Sequence, residues 1–422
     1  MNKKVIQLIF EKDNLKLFLN YLVVIYAVTF AFGHQLSGYI IRPIILLWLL
    51  TVDYKKVFNL FKDSIFFKVI LVYSSLVILM YFNTEYSMEE YEKYIRRYFL
   101  NFFVPFIIIL TSIQKEFISK IIGAFLGGMF INEIISYGIY FDIWDTTYSL
   151  KYQHPVGFIH HVPYSVLVAF TAIFLIYEIK NTTKKWQQYM YTIFFITMTI
   201  NLVISSGRTG YIAFFATLPI IVATYYKLNL KNIIQIIIAP MIVFAIGYYL
   251  NQDVQKRVES AINATKTAVS DQQFNSSFGV RLAAYPIAWQ WIKNGDNLLF
   301  GESRGDIHTV RKELIEQLGK KENYKLMYNA SHFHNDYIEI LISLGFIGLF
   351  LFLYILYYIY TRPIKDHQIR FLQKLFIPIM FISGFADLVM FHIRETMMFF
   401  AMCSALILWQ YNFEKENKVI SQ

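Results

Sequence analysis

Apolar runs about 20 residues long, the length a helix needs to cross a bilayer, recur along this chain from one end to the other. No other feature limits the fold as strongly. Twelve such runs fall near residues 14–33, 38–52, 65–83, 98–113, 117–140, 158–178, 187–205, 209–226, 232–250, 336–360, 370–390 and 395–412. They predict an all-α, polytopic membrane protein with about twelve transmembrane helices. The charged fraction agrees: 16% of the 422 residues are Asp, Glu, Lys or Arg, against about a quarter in soluble domains. The first run follows MNKKVIQLIFEKDNLK, which has no small-residue cleavage site, so it is expected to be a retained helix. The single cysteine, Cys403, lies inside an apolar run, which excludes a disulfide framework and a cysteine-based metal site.

Between the ninth and tenth runs lies a hydrophilic stretch, 251–335, longer than any other connection. The chain is expected to form one membrane domain (1–422, with spans over roughly 14–250 and 336–412) carrying 251–335 as a loop subdomain. Lys and Arg decide which side this loop faces, because cytoplasmic segments retain them. With the N-terminus inside, the inner segments hold twenty such residues. The short outer segments hold seven: Arg42, Lys93, Arg96, Arg97, Lys151, Arg208 and Arg394. Both termini are therefore expected inside and the loop outside. The net charge of +10 reflects this topology, and no nucleic-acid partner is expected. Five of the seven outer residues are Arg, whose planar fork suits phosphate and carboxylate.

Within the loop, 252–269 has helical spacing. In SSFGVRLAAYPIAWQWIKNG, Leu282, Tyr285, Ile287, Ala288 and Trp291 predict an amphipathic helix on the outer membrane surface, with Pro286 at its start or at a kink. LLFGESRGD then predicts a glycine-bounded turn, and 307–320 another charged helix.

Several residues have the chemistry for a site. Arg208 lies between two apolar runs, where an ionisable group is a functional candidate by default. Its neighbours Ser205, Ser206, Gly207 and Gly210 predict a tight turn with exposed N–H groups suited to a phosphate. The competing reading is an Arg that reaches the lipid headgroups. Arg281 could contact a headgroup or a ligand, and Arg304, in GESRGD, is expected to be a solvated turn residue. His332, His334 and Asn335 end the loop. His334 stands at the lip of the tenth run, where an imidazole can accept a proton near neutral pH. His332 and His334 could bind a metal, with Asp336 and Glu339 one turn on, but no zinc-like ligand set is nearby. No metal is expected. His160 and His161 are expected in core or headgroup roles, and His392, Arg394 and Glu395 could line the same cavity. Gly345 and Gly348 resemble a small-residue face for close helix packing.

Three patterns carry a resemblance to a known family. His334-Asn335, nine residues, then Gly345-Phe-Ile-Gly348 fits H-N-x9-G-x-x-G at the end of a large periplasmic loop. Ser206-Gly207-Arg208-Thr209-Gly210 fits an S-x-R-x-G-like turn. Arg281, Trp289 and Phe300-Gly301 fit the loop helix and the turn after it. With the twelve runs, these resemble the O-antigen ligase family, membrane glycosyltransferases of the GT-C type, along nearly the whole chain. The resemblance implies a bacterial inner-membrane enzyme with its active site facing the periplasm. Such an enzyme moves a glycan from undecaprenyl diphosphate to a sugar hydroxyl of lipid A–core, with inversion and without metal or other cofactor. Its partners would be the lipid-linked donor, the lipid A–core acceptor and membrane lipids. His334, Arg208 and Arg281 would be catalytic, and Arg208, Arg281, Asn335, His332 and Arg304 would bind substrate. The alternatives are an O-antigen or capsule polymerase with a lipid-linked acceptor, a protein O-oligosaccharyltransferase, or a transporter of lipid-linked sugars. A transporter would favour internal repeats and ionisable groups at mid-membrane, and the chain shows neither.

Overall fold

The computed structural model describes residues 11–144, 155–205, 207–226, 229–250, 252–390 and 392–420. Residues 1–10, Lys151, Ser206 and Lys227, all used above, lie outside them. The described residues form helices and connecting turns with no strand. In chain order the helices that build the fold are α1 Lys12–Thr29, α2 His34–Thr51, α3 Tyr54–Asp63, α4 Ile65–Leu79, α5 Met88–Tyr98 and α6 Val104–Ser112. These are followed by α7 Lys115–Tyr140, α8 His161–Asn181, α9 Lys185–Ser205, α10 Arg208–Thr224, α11 Ala239–Leu250 and α12 Gln252–Ser270. The last five are α13 Gly279–Asn294, α14 Ile307–Gln317, α15 Asp336–Thr361, α16 His367–Gly384 and α17 Arg394–Ile420.

Each of the twelve apolar runs is helical over most of its length. Eight of the resulting helices are long and apolar enough to cross a membrane. The other four explain themselves. α2 and α3 are apolar enough only as a pair and are bent by 94°, and α10 is short. The ninth run is interrupted by a π-helical turn at Ile234–Ile238, and α16 carries a polar first turn, HQIR. Polar side chains mark several helix starts. Asp53, Ser87, Asn335 and Asp366 accept the backbone N–H groups that a first turn leaves without partners.

The bundle is organised around α8, which is buried along most of its length and packs against α9, α10, α16 and α17. A second hydrophobic cluster lies in the 251–335 stretch. Val280, Ala283, Ala284, Ile287 and Trp291 of α13 meet Ile307, Leu314 and Ile315 of α14, together with Phe333 and the top of α15. Of the residues expected on the apolar face of α13, Ile287, Ala288 and Trp291 are buried in this cluster, while Tyr285, like Trp289, is exposed. Pro286 lies inside the helix.

The two clusters are joined at a break in α15. Gly345 has φ 66° and ψ −171°, a region open essentially only to glycine. The helix opens there, and the turn Leu298–Gly301 fills the gap with backbone bonds. Phe346 N–H donates to Leu298 O (2.9 Å) and Ile347 N–H to Leu299 O (3.2 Å), while Glu302 N–H donates to Ile342 O (2.7 Å). Gly301 also has positive φ, and a Cβ on it would press against the backbone of Leu344 and Gly345. The small-residue packing face expected at Gly345 and Gly348 is therefore something else. Gly345 seats a loop, and a Cβ on Gly348 would meet Leu344 of its own helix. Gly345→Ala should cost at least about 1–3 kcal/mol from the backbone alone, and its Cβ would strike the Leu299 backbone. A clear drop in melting temperature of the purified full-length protein is expected; an unchanged value would contradict this account of the break.

Candidate functional site

The loop end, α13 and the turn after α16 converge on one carboxylate. α16 ends at Gly384, which places Asp387 in a turn and buries it to 4% exposure. Arg281 Nη2 donates to Asp387 Oδ2 (3.1 Å) and Arg281 Nε to Ala386 O (2.6 Å). On the carboxylate's other oxygen, His334 Nδ1 lies 3.3 Å and His332 Nε2 3.6 Å from Oδ1, and the two ring nitrogens are 3.2 Å apart. Burial alone would raise the Asp387 carboxyl. The two imidazoles and the Arg281 guanidinium outweigh it and hold the group well below the usual carboxylate range.

An ionised carboxylate only accepts hydrogen bonds, so the His334–Asp387 contact puts the proton on Nδ1. That leaves the Nε2 lone pair of His334 available to a substrate hydroxyl, the arrangement that orients a general base. His334 itself is held at φ 51°, a left-handed conformation a non-glycine residue keeps only where its surroundings enforce it. Its neighbours do so. Asn335 accepts from Tyr337 N–H (3.0 Å) and Ile338 N–H (3.1 Å), capping α15. Asp336 accepts from Val389 N–H and Met390 N–H (both 3.0 Å), fixing the Asp387 turn against the same helix start. Burial also lowers the proton affinity of His332, which keeps its ring uncharged near neutral pH.

Arg208 joins this cluster through Ser277. Its Nη1 donates to Ser277 Oγ (2.9 Å), while Arg281 Nη1 donates to the Ser277 carbonyl. Of the N–H groups expected to be exposed beside Arg208, that of Gly210 is taken by Ser165 Oγ (3.2 Å). Gly207 and Gly210 instead let α10 approach Ser165 of α8 closely. Arg304 is not a solvated turn residue: its side chain is 11% exposed and pairs with Glu339. Glu339 also accepts from Phe333 N–H (2.8 Å). Asp336 and Glu339 thus brace backbone and Arg304, and it is Asp387, from far along the chain, that completes a set of three with the histidines. His332, His334 and Asp387 offer ligand atoms within 4.8 Å of one another, a group that could hold a metal ion. Arg281 already bonds to the second Asp387 oxygen. The rings of His160 and His161 lie 4.0 Å apart and tilted by 46° at the start of α8.

Asp387 and Ser277 escaped the sequence reading. Ser277 carries no signal. Asp387 does: it lies within an apolar run expected to span the membrane, the same placement that singled out Arg208.

Fold and site together define a polytopic helical membrane protein with a half-buried His–Asp–Arg cluster at the end of its bundle that carries the 251–335 stretch. Residues 193–353, from α9 to the middle of α15, match the family model for O-antigen ligase. The match supports an activity of the ligase or polymerase type, with lipid-linked glycan substrates. No curated protein matches the chain.

The depressed Asp387 value has a consequence for acid stability. A carboxylate held below its unfolded value of about 3.9 adds stability at higher pH, which is lost as pH falls through the folded value. The melting-temperature gap between wild type and Asp387→Asn should therefore be wide at neutral pH and close in acid. A gap that stays constant with pH would contradict the pairing.

Proposed function

We propose that the protein is an O-antigen ligase that transfers a glycan from undecaprenyl diphosphate to a sugar hydroxyl of lipid A–core. The reading places it in the bacterial inner membrane as a GT-C type enzyme, both termini cytoplasmic, with 251–335 as a periplasmic subdomain over the site. One observation carries it: His334 is oriented by Asp387 beside two guanidinium groups, Arg281 and Arg208, linked through Ser277.

The acceptor hydroxyl attacks the anomeric carbon of the donor sugar as His334 Nε2 takes its proton. The bond from that carbon to the diphosphate oxygen breaks with its electron pair, and undecaprenyl diphosphate leaves as an anion. Arg281 and Arg208 stabilise that developing charge, so the step needs neither a metal nor a nucleotide sugar. A single displacement inverts the anomeric centre. His332 and Arg304 flank the reacting groups, and Asn335 acts by capping the helix below His334.

Positioned general bases contribute about 10²–10⁴ in rate, and single charge-stabilising donors about 10²–10³. His334→Ala and Arg208→Ala should each reduce transfer at least about a hundredfold while membrane insertion stays intact. The assay combines purified protein, lipid-linked glycan and rough lipopolysaccharide. Transfer at the wild-type rate by either variant would refute the assignment. Chain growth on the lipid carrier would make the protein a polymerase, and neither product would reopen the transporter reading.

A further inference from the structure

A second basic group lies on the far side of the two histidines. His392, in the turn before α17, has its ring 5.2 Å from that of His332, and Arg304 Nη2 lies 3.4 Å from His392 Nδ1. Arg97, at the end of α5, and Arg394, the first residue of α17, join this group through their charges: Arg97 acts on His392 and Arg394 on Arg97. The charges acting on Arg97 are Arg394, Arg304 and Glu90. One acid of this region lies within the group and the others are engaged elsewhere. Glu339 pairs with Arg304, Glu395 with His34 (2.9 Å), Glu90 with Lys93 (2.9 Å) and Asp387 with Arg281 and the histidines. Among the described residues no carboxylate pairs with Arg97 or Arg394, and Arg97 Nε is buried with no hydrogen-bond partner. Burial and the neighbouring Arg304, His332 and Arg97 hold His392 well below the usual imidazole range, so its ring adds no charge of its own near neutral pH.

We propose that Arg97 and Arg394, with Arg304 and His392 behind them, form a second anion site that takes a phosphate group of the acceptor glycolipid. The proposal rests on the transfer reading above and adds to it. Gathered guanidinium groups repel one another in a partly buried place, and a phosphate relieves that repulsion while accepting bidentate bonds. The donor's diphosphate already has Arg208 and Arg281. The histidines stand between the two basic groups, so an acceptor held by the second would present its hydroxyl to His334 from the side opposite the leaving group. That is the geometry an inverting displacement requires.

The test measures binding to the full-length protein in nanodiscs, independently of transfer. The probes are phosphorylated lipid A, the same lipid A after phosphatase treatment, and undecaprenyl diphosphate. The R97Q/R394Q double variant should bind phosphorylated lipid A on the order of tenfold more weakly, as expected for loss of charge-assisted hydrogen bonds. It should bind the dephosphorylated form and undecaprenyl diphosphate as the wild type does. R97K/R394K should recover part of the loss, which a folding defect would not allow. Equal binding of phosphorylated lipid A by wild type and the Gln variant, or an equal loss for undecaprenyl diphosphate, would overturn the proposal. Preserved discrimination in a protein that transfers no glycan would leave this site standing and sink the ligase reading instead.

Discussion

A carboxylate buried to 4% exposure and held by one guanidinium and two imidazoles is the point on which the site depends. An isolated buried carboxylate costs several kcal/mol, so Asp387 is stable in its turn only if the loop brings Arg281, His332 and His334 to it. One ion cluster therefore ties together α13, the loop end and the turn between α16 and α17. The three consecutive residues His334, Asn335 and Asp336 divide the work. His334 faces the site, Asn335 caps the helix below it, and Asp336 holds the turn that carries Asp387.

The break in α15 extends the same logic into the bundle. By opening at Gly345, the helix donates its Phe346 and Ile347 N–H groups to the Leu298 and Leu299 carbonyls and accepts from Glu302 N–H, so the loop is anchored to a membrane-spanning helix two turns and more below His334. The two glycine patterns that looked like separate motifs, Phe300-Gly301 and Gly345-Phe-Ile-Gly348, are the two sides of this contact. A Cβ on Gly301 would meet the backbone of Leu344 and Gly345, and one on Gly345 the backbone of Leu299 and Phe300.

Much of this was legible in the sequence. Run lengths gave the twelve helical segments, because a bilayer leaves helical backbone few alternatives. Arg208, Arg281 and His334 were singled out by charge in apolar surroundings and by pattern, and the structure brings all three together. What stayed hidden depends on contacts between distant segments. Asp387 lies 53 residues beyond His334, and spacing arguments do not reach that far. The burial of Arg304 depends on Glu339, a partner no local pattern names. Gly210 looked free to present its N–H because nothing in the sequence says that α10 packs against Ser165. Local periodicity predicts elements; which polar group meets which is decided by packing.

The most direct test of the central claim, that Arg281 and Asp387 act as one unit joining loop to bundle, is a double-mutant cycle on stability. Unfolding would be followed for wild type, Arg281→Gln, Asp387→Asn and the double variant, all as purified full-length protein near neutral pH. Residues in one buried ion cluster should be strongly non-additive, with a coupling of about 1–3 kcal/mol, so that the double variant is little worse than the more damaging single change. Strictly additive losses would contradict the claim.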